Sequence, residues 1–406
     1  MFKLLLSLGA NVRGVTTIDD SIHSILTPWP LEQVFSPEDS ALQLCKLKLL
    51  VSVDPNQVES EGILGRHPFE EACFAGSLEM ARFLQGKGAH VFERDKFGRQ
   101  PLHWTDSELF ITYLLSLGAD PNSRDLEGNT PLILAASDAS NGAMRMLVRA
   151  GAKPNASNDR GDTPLMTAVA RGNESALGEL LTDGADINFV SKQNGTVLVA
   201  AVNSGNFLNV VLSKGADPNL KDHGGETALH LLWRIPRMGA PPLKDLIDPL
   251  LRAGADIESE DNMGFTPLMQ SIRYSNMESV VALIQCGASL DRTSRKTGLT
   301  TLEIAITNPP YLEKLLEEKA DPNERDRLGN TPAIFLMKWF SRFPQFGNFR
   351  EYGPLLWETA RGDLQMLKKH GADLSAVDPA GRSVLSIGRN HLSRDRLNKL
   401  EALVGK

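Results

Sequence analysis

Carboxylates recur in this 406-residue chain at a regularity that could serve acid/base catalysis or hold calcium. Asp95, Asp125, Asp222, Asp261, Asp326 and Asp378 stand at one register, and Asn158 and Ser191 fill it in two further copies. Three positions later comes a residue suited to positive φ, namely Gly98, Gly128, Gly161, Gly225, Gly264, Gly329 or Gly381, with Asn194 in one copy. Asp, Asn and Ser side chains accept hydrogen bonds from backbone amides just ahead of them, so a turn explains every member. The identical register therefore argues for turn shaping over chemistry. His103 and His230 also share a register, while His23, His67, His90, His223, His370 and His391 show no metal-ligand spacing. Cys45, Cys73 and Cys286 are too few and scattered for a disulfide framework or a zinc site and suit small apolar positions. Walker, His-Glu-x-x-His and Gly-x-Ser-x-Gly motifs are absent. The expectation is no catalytic residue, no metal and no cofactor.

The elements that set this register repeat as well. The phrase Leu-Leu-x-x-Gly-Ala-Asp-x-Asn recurs with its glycine at Gly9, Gly88, Gly118, Gly151, Gly184, Gly215, Gly254, Gly287 and Gly371. Lys319-Ala320 fills the slot without glycine, and Ser52 to Asn56 is a worn copy. Most spacings are 30 to 33 residues, with longer ones of 39 and 52. Such a period means stacked units, each burying its apolar face against its neighbours. Twelve residues after the glycine comes Thr130-Pro131-Leu132, Thr163-Pro164-Leu165, Thr227-Ala228-Leu229, Thr266-Pro267-Leu268 or Thr331-Pro332-Ala333, with weaker copies at Gln100 and Ser383. Threonine is a good N-cap and proline is preset for the first helical turn, so a helix opens there. Small residues such as Ala135-Ala136 and Ala168-Val169-Ala170 keep its inner face slim. A second helix then ends at the glycine, which accepts left-handed backbone.

Thr-Pro-Leu, the glycine before it and the closing Leu-Leu-x-x-Gly-Ala together resemble the ankyrin repeat, over about nine tenths of the chain. The resemblance implies an all-α repeat solenoid: ankyrin-type helix-turn-helix units joined by β-hairpin loops in a curved stack. It implies a hydrogen bond from His103 and His230 that ties neighbouring hairpins together. It also implies binding of other macromolecules on a concave face of hairpin tips and first helices, on the order of 100 Å long for about ten units spaced like packed helices. The boundaries expected are a partial repeat end at 1–20, degenerate repeats at 21–92, central repeats at 93–330, a repeat with an aromatic-rich insertion at 331–375 and a capping repeat at 376–406.

Composition is ordinary for a folded chain, with 41% hydrophobic and 23% charged residues. A net charge of −7 speaks against a phosphate track, so no nucleic-acid partner is expected. No apolar run reaches the roughly 18 residues of a membrane span. Leu5 to Ala10 repeats letter for letter as Leu114 to Ala119, which makes the start a repeat helix end and not a leader. An intracellular location follows, cytoplasmic with the nucleus also open. The sequon matches at Asn155, Asn173 and Asn194 are then chance. No membrane and no small-molecule substrate is expected.

Departures from the pattern carry the functional information. The unit at Gln100 is short by about three residues, and the unit after Thr227 has about six extra around Arg234 to Pro242, with prolines that suit an enlarged connection. Between Thr331 and Gly371 the period swells by about 19 residues and carries Trp339, Phe340, Phe343, Phe346, Phe349, Tyr352 and Trp357 with Arg342 and Arg350. Aromatics and arginine are enriched at binding hot spots, which makes Trp339, Phe343, Phe346 and Tyr352 candidates; packing back onto the solenoid is the favoured reading, since large aromatics are usually buried. Met1 to Ala10 supplies only the tail of a second helix, so the array is expected to continue upstream or to rest on a partner. The variable tip residues are the remaining candidates: Lys96, Phe97 and Arg99; Leu126, Glu127 and Asn129; Asp159, Arg160 and Asp162; His223 and Glu226; Asn262, Met263 and Phe265; Arg327 and Leu328. Phe97, Met263, Phe265 and Leu328 are apolar where exposure is expected, as binding anchors would be. The function expected is a non-catalytic scaffold for a protein or extended peptide. An adaptor or ubiquitin-ligase substrate receptor is the alternative; Pro30-Leu31-Glu32 is faintly F-box-like, but the segment from Thr27 reads better as a worn Thr-Pro-x-x-Leu repeat opening that Asp54-Pro55-Asn56 closes in register. A regulatory part of an enzyme is the third, although almost no chain is left for a catalytic domain.

Overall fold

The computed structural model describes residues 48, 67–74, 76–137, 141–193, 195–205, 207–234, 242–306, 308–342 and 349–405. The sequence expectations at 1–47, 49–66, Asn194, Pro236–Pro241, Phe343 and Phe346 lie outside them, as does the side chain of Tyr352. Two compact units divide the chain, Met1–Phe207 and Leu208–Lys406, and the division falls inside the stretch read as central repeats.

The first unit pairs α1 (Pro68–Phe74) with α2 (Leu78–Gly86), a 3-10 turn (Pro101–His103) with α3 (Glu108–Ser116), α4 (Pro131–Ser137) with α5 (Asn141–Arg149) and α6 (Pro164–Arg171) with α7 (Glu174–Thr182), and closes on α8 (Val197–Ser204). First helices stack on first helices, α4 on α6 on α8, and second on second, α3 on α5 on α7. The second unit holds α9 (Leu208–Ser213), a 3-10 turn (His230–Arg234), α10 (Leu243–Arg252), α11 (Pro267–Arg273), α12 (Met277–Gln285), α13 (Thr301–Ala305), α14 (Pro309–Glu317), α15 (Pro332–Ser341), α16 (Phe349–Lys369), α17 (Val384–His391) and α18 (Arg394–Val404). It repeats the stacking, with α11 on α13 on α15 on α17 and α14 on α16.

The helices form where the repeat chemistry directs. Thr163, Thr196, Thr266 and Thr331 accept from the amides of Met166, Val199, Met269 and Ile334, each cap worth about 1 kcal/mol. Residues three and four apart then point into the core, as Phe110, Ile111 and Leu114 do in α3, and each such side chain contributes about 1.5–3 kcal/mol by leaving water. Second helices run out on left-handed glycines, such as Gly118, Gly184 and Gly254. Lys319 holds the same conformation at φ 73° without being glycine, a strained arrangement for a side chain with a Cβ.

Departures from the repeat have direct structural counterparts. The short unit at Gln100 and the altered one at Thr227 each replace the first α-helix by a 3-10 turn. The swelling before Gly371 lies largely in α16, which runs for 21 residues where α7 and α12 have 9. Phe340 of α15 and Trp357 of α16 meet edge to face, centroids 5.7 Å apart, and both are buried, so these two aromatics pack the unit. Trp339 is half-buried beside them.

The hairpin loops are tight turns. Among the described residues the only β features are the isolated bridges Thr293 to Thr300 and Val377 to Ser383. Each loop closes on itself within four or five residues, as the Asp95 amide donates to the Arg99 carbonyl at 3.0 Å and that of Ser294 to the Leu299 carbonyl at 2.9 Å, and the connection is too short for a ladder.

Candidate partner-binding surface

The turn residues position the tips. Asp95 Oδ1 accepts from the amides of Phe97 and Arg99, both at 2.9 Å, and Asp125, Asn158, Asp222, Asp261, Asp326 and Asp378 do the same two and four residues ahead. The array of carboxylates is thus engaged with backbone, as its register implied. One further turn escaped the sequence pattern. In the unit after Gly287 the loop is one residue longer, Ser294 takes the turn position and its Oγ accepts from the Thr297 amide at 3.2 Å. The added residue pushes Arg295 and Lys296 to the tip.

This clamp dictates which tip residues face out. The first and second positions after the turn residue are outside: Phe97 is 47% exposed, Leu126 72%, Met263 45% and Leu328 75%. Lys96, Glu127, Asp159, Arg160, His223, Asn262 and Arg327 are exposed with them. Ahead of the last turn, where Arg382 is exposed, the fourth position turns inward, and here two expectations are corrected. Phe265 is 6% exposed with the Arg273 guanidinium 5.2 Å from its ring centre, and its carbonyl meets His230 Nε2 at 3.0 Å. Asn129 is buried and accepts from Asn158 Nδ2 at 2.9 Å, coupling two turns. Neither is an exposed tip residue, because the fourth amide is held by the turn side chain and directs its own side chain towards the inner helices. Arg99, Asp162 and Glu226 are half-buried at the same position.

Neighbouring tips are tied directly. In the first unit Leu126 N donates to the Phe97 carbonyl at 2.9 Å and Asp159 N to the Glu127 carbonyl at 3.0 Å. In the second, Asn262 N reaches the Gly224 carbonyl at 2.9 Å and Arg327 N the Gly298 carbonyl at 3.1 Å. A basic residue just before the turn adds a clasp: Arg94 Nη1 donates to the Arg124 carbonyl, Arg124 Nη1 to that of Ser157, Lys221 Nζ to that of Glu260 and Arg325 Nη1 to that of Val377. The sequence shows these four in register, though they read as solvated charge until the next repeat is in place. Gly128 allows the closest approach, since a Cβ there would strike Arg124 and Asp159.

His230 performs the tie implied by the resemblance. Nδ1 lies 3.1 Å from the Thr227 amide, which donates to it, so Nε2 carries the proton to the Phe265 carbonyl. Burial lowers its pKa and favours that neutral form. His103 accepts from the Gln100 amide at 3.1 Å and is likewise depressed by burial, while its Nε2 is buried without a partner. Glu303 stands where His would in its repeat: Oε2 accepts from Thr300 N at 3.0 Å, Oε1 is buried and unpartnered, and burial pushes the carboxyl up to about 8.

A second cluster was not foreseen. Trp233 and Tyr274 stack at 3.8 Å with planes 12° apart, flanked by Arg234 and Arg273. Both rings lie at the ends of first helices, where the repeat pattern assigns no fixed residue. Among the described residues no group of His, Cys, Asp and Glu could hold a metal ion, and no helix is long and apolar enough to cross a membrane.

The family model described as ankyrin repeats (3 copies) matches residues 105–191 and 241–326. An ankyrin repeat protein of Acanthamoeba polyphaga mimivirus is 39% identical over 75 residues, 17% of this chain and 10% of that protein. The mouse B-cell lymphoma 3 protein homolog is 31% identical over 103 residues, 25% of this chain and 22% of that protein. Among solved structures, the ankyrin repeat domain of Bcl-3 aligns with a TM-score of 0.46 at 24% identity, covering 60% of this chain and all of that one. The matched stretches span less than half the length of the sequence relatives. With their caps, turns and paired helices, residues 105–191 and 241–326 are ankyrin repeats.

Proposed function

We propose that the chain is a non-catalytic scaffold that binds a protein or an extended peptide on its hairpin tips and the first helices behind them. Ankyrin repeats are generally protein–protein interaction modules. The observation that carries the reading is the set of large apolar side chains, Phe97, Leu126, Met263 and Leu328, held outward on turns that are themselves clamped and tied repeat to repeat. Rigid presentation of exposed apolar residues is what a recognition surface needs and what folding alone does not. The half-buried Trp339, with the stretch 331–375 around it, forms part of the same proposal, as do a partner that is neither nucleic acid nor metabolite and the division into central and capping repeats. Affinity capture with the full chain tests it. The variants F97A/L126A and M263A/L328A are expected to lose captured protein while keeping the wild-type circular dichroism and melting temperature. Undiminished capture by both variants would sink the tip assignment.

A further inference from the structure

The two units differ in how their tip charges are answered. In the first, cations meet carboxylates: Arg99 pairs with Asp95 at 2.8 Å, Arg124 with Asp159 at 2.8 Å, and Arg160 with Asp162 at 3.3 Å and Glu127 at 3.6 Å. In the second, the longer loop places Arg295 and Lys296 beside Arg327 of the next tip. Arg327 Nη1 donates to the Arg295 carbonyl at 2.6 Å and Lys296 Nζ to the Asn262 carbonyl at 2.9 Å, contacts that orient the cations without neutralising them. Asp326 is buried on backbone amides, Glu258 takes Arg292 at 3.3 Å and Glu260 lies 3.4 Å from Arg295, so among the described residues Lys296 and Arg327 are the cations of this band that no carboxylate pairs. The band is therefore positive in a chain whose net charge is −7. Exposed aliphatic side chains bracket it, Met263 on the preceding tip and Leu328 beside Arg327, and Ser294 Oγ, bonded to the Met263 carbonyl at 3.2 Å, keeps the tips in contact.

We infer that this band is a docking site for an extended acidic segment of a protein partner, with carboxylates over Arg295, Lys296 and Arg327 and an apolar side chain at each end. The inference rests on the scaffold reading and names the chemistry of its partner. Met263 and Leu328 lie two repeats apart, about 20 Å at the spacing of packed helices. An extended chain covers that in about six residues, so the two apolar residues of the partner should stand roughly six apart with Asp or Glu between them. A peptide is favoured over a nucleic acid because the side chains between and beside the cations are aliphatic, and single strands are held by stacking on aromatic rings. Charge complementarity of this kind sets partner choice and association rate, and it weakens with salt.

Selection from a random-peptide display library on the full chain tests this, with fluorescence anisotropy of the enriched peptides against wild type and R295E/R327E. Both arginines are exposed, so the double variant should keep its melting curve, which is measured alongside. The expected result is enrichment of acidic peptides with paired apolar residues, at least about tenfold weaker on the double variant, as reversal of two complementary charges implies. Enriched peptides without net negative charge, or acidic ones indifferent to R295E/R327E, overturn the inference and leave the scaffold reading standing. No enrichment at all counts against both. Tight binding of a mixed single-stranded oligonucleotide, lost in the double variant and unmatched by any peptide, overturns the choice of partner.

Discussion

Lys319 sits in left-handed backbone, φ 73°, at a position glycine fills in the neighbouring repeats. A Cβ in that region costs about 1–2 kcal/mol, and glycine returns part of it as lost entropy in the folded helix end. Lys319→Gly should therefore stabilise the protein by about 0.5–1 kcal/mol, read as a higher urea midpoint at unchanged slope. A lower midpoint would mean that the lysine side chain matters more than the backbone. Glu303 is a different residue-scale case. Burial raises its folded pKa from 4.5 to about 8, so the folded state binds the extra proton in that window. Its contribution is fully present below about pH 4.5 and is lost as pH rises through about 8. Glu70 and Glu324, raised to about 7 by burial, act in the same direction. Glu303→Gln keeps an acceptor for the Thr300 amide and removes the charge. Denaturation at pH 8.5 should show a gain of about 2 kcal/mol that shrinks towards zero at pH 5. An equal effect at both pH values would assign the change to packing.

Between elements, coupling runs through polar side chains that reach the next repeat. The Asn of Gly-Ala-Asp-x-Asn is one of these: Asn219 Nδ2 donates to the Gly254 carbonyl at 2.8 Å and its Oδ1 accepts from the Asp256 amide at 2.7 Å, with Asn122 and Asn323 repeating the pattern. Asn219→Ala breaks both bonds at an exposed site and should cost about 1–2 kcal/mol, seen as faster hydrogen exchange in both linked repeats and not in one alone. Lys338 makes a heavier link, from α15 to the buried Asp378 of the following turn at 2.6 Å. The Lys338 ammonium, with Arg382, holds that carboxyl well below the usual range. Lys338→Met leaves a buried carboxylate with one cation and should cost about 3 kcal/mol at neutral pH. The double variant K338M/D378N is expected to recover part of the loss; no recovery would show that the pair is not the cause.

At the scale of the molecule, repeats within each compact unit contact their neighbours, so stability accumulates by nearest-neighbour terms and function is spread over the tips. Capture of a partner by the second unit's basic band should fall several-fold between about 0.05 and 0.5 M salt, while capture through the apolar tips of the first unit should change little. Comparing M263A/L328A with F97A/L126A across that range separates the two, and identical salt curves would argue against distinct surfaces.

The repeat period, the turn at each Asp, the Thr caps and the glycine helix ends were legible in the sequence, because each is set by interactions within a few residues that recur in register. Even Lys319 was visible there as a departure, although what it cost was not. Tertiary structure decided the rest. Phe265 and Leu328 look alike in the sequence as apolar tip residues, yet one is buried and the other bare, since the turn clamp turns the fourth position towards helices of its neighbours. Arg94, Arg124 and Arg325 become clasps only when a carbonyl roughly one repeat away is in reach, and Arg295 and Arg327, 32 residues apart, become one positive band only when their tips are stacked. Local preference writes the unit; what the unit shows to a partner depends on contacts made across repeats, which no stretch of sequence contains by itself.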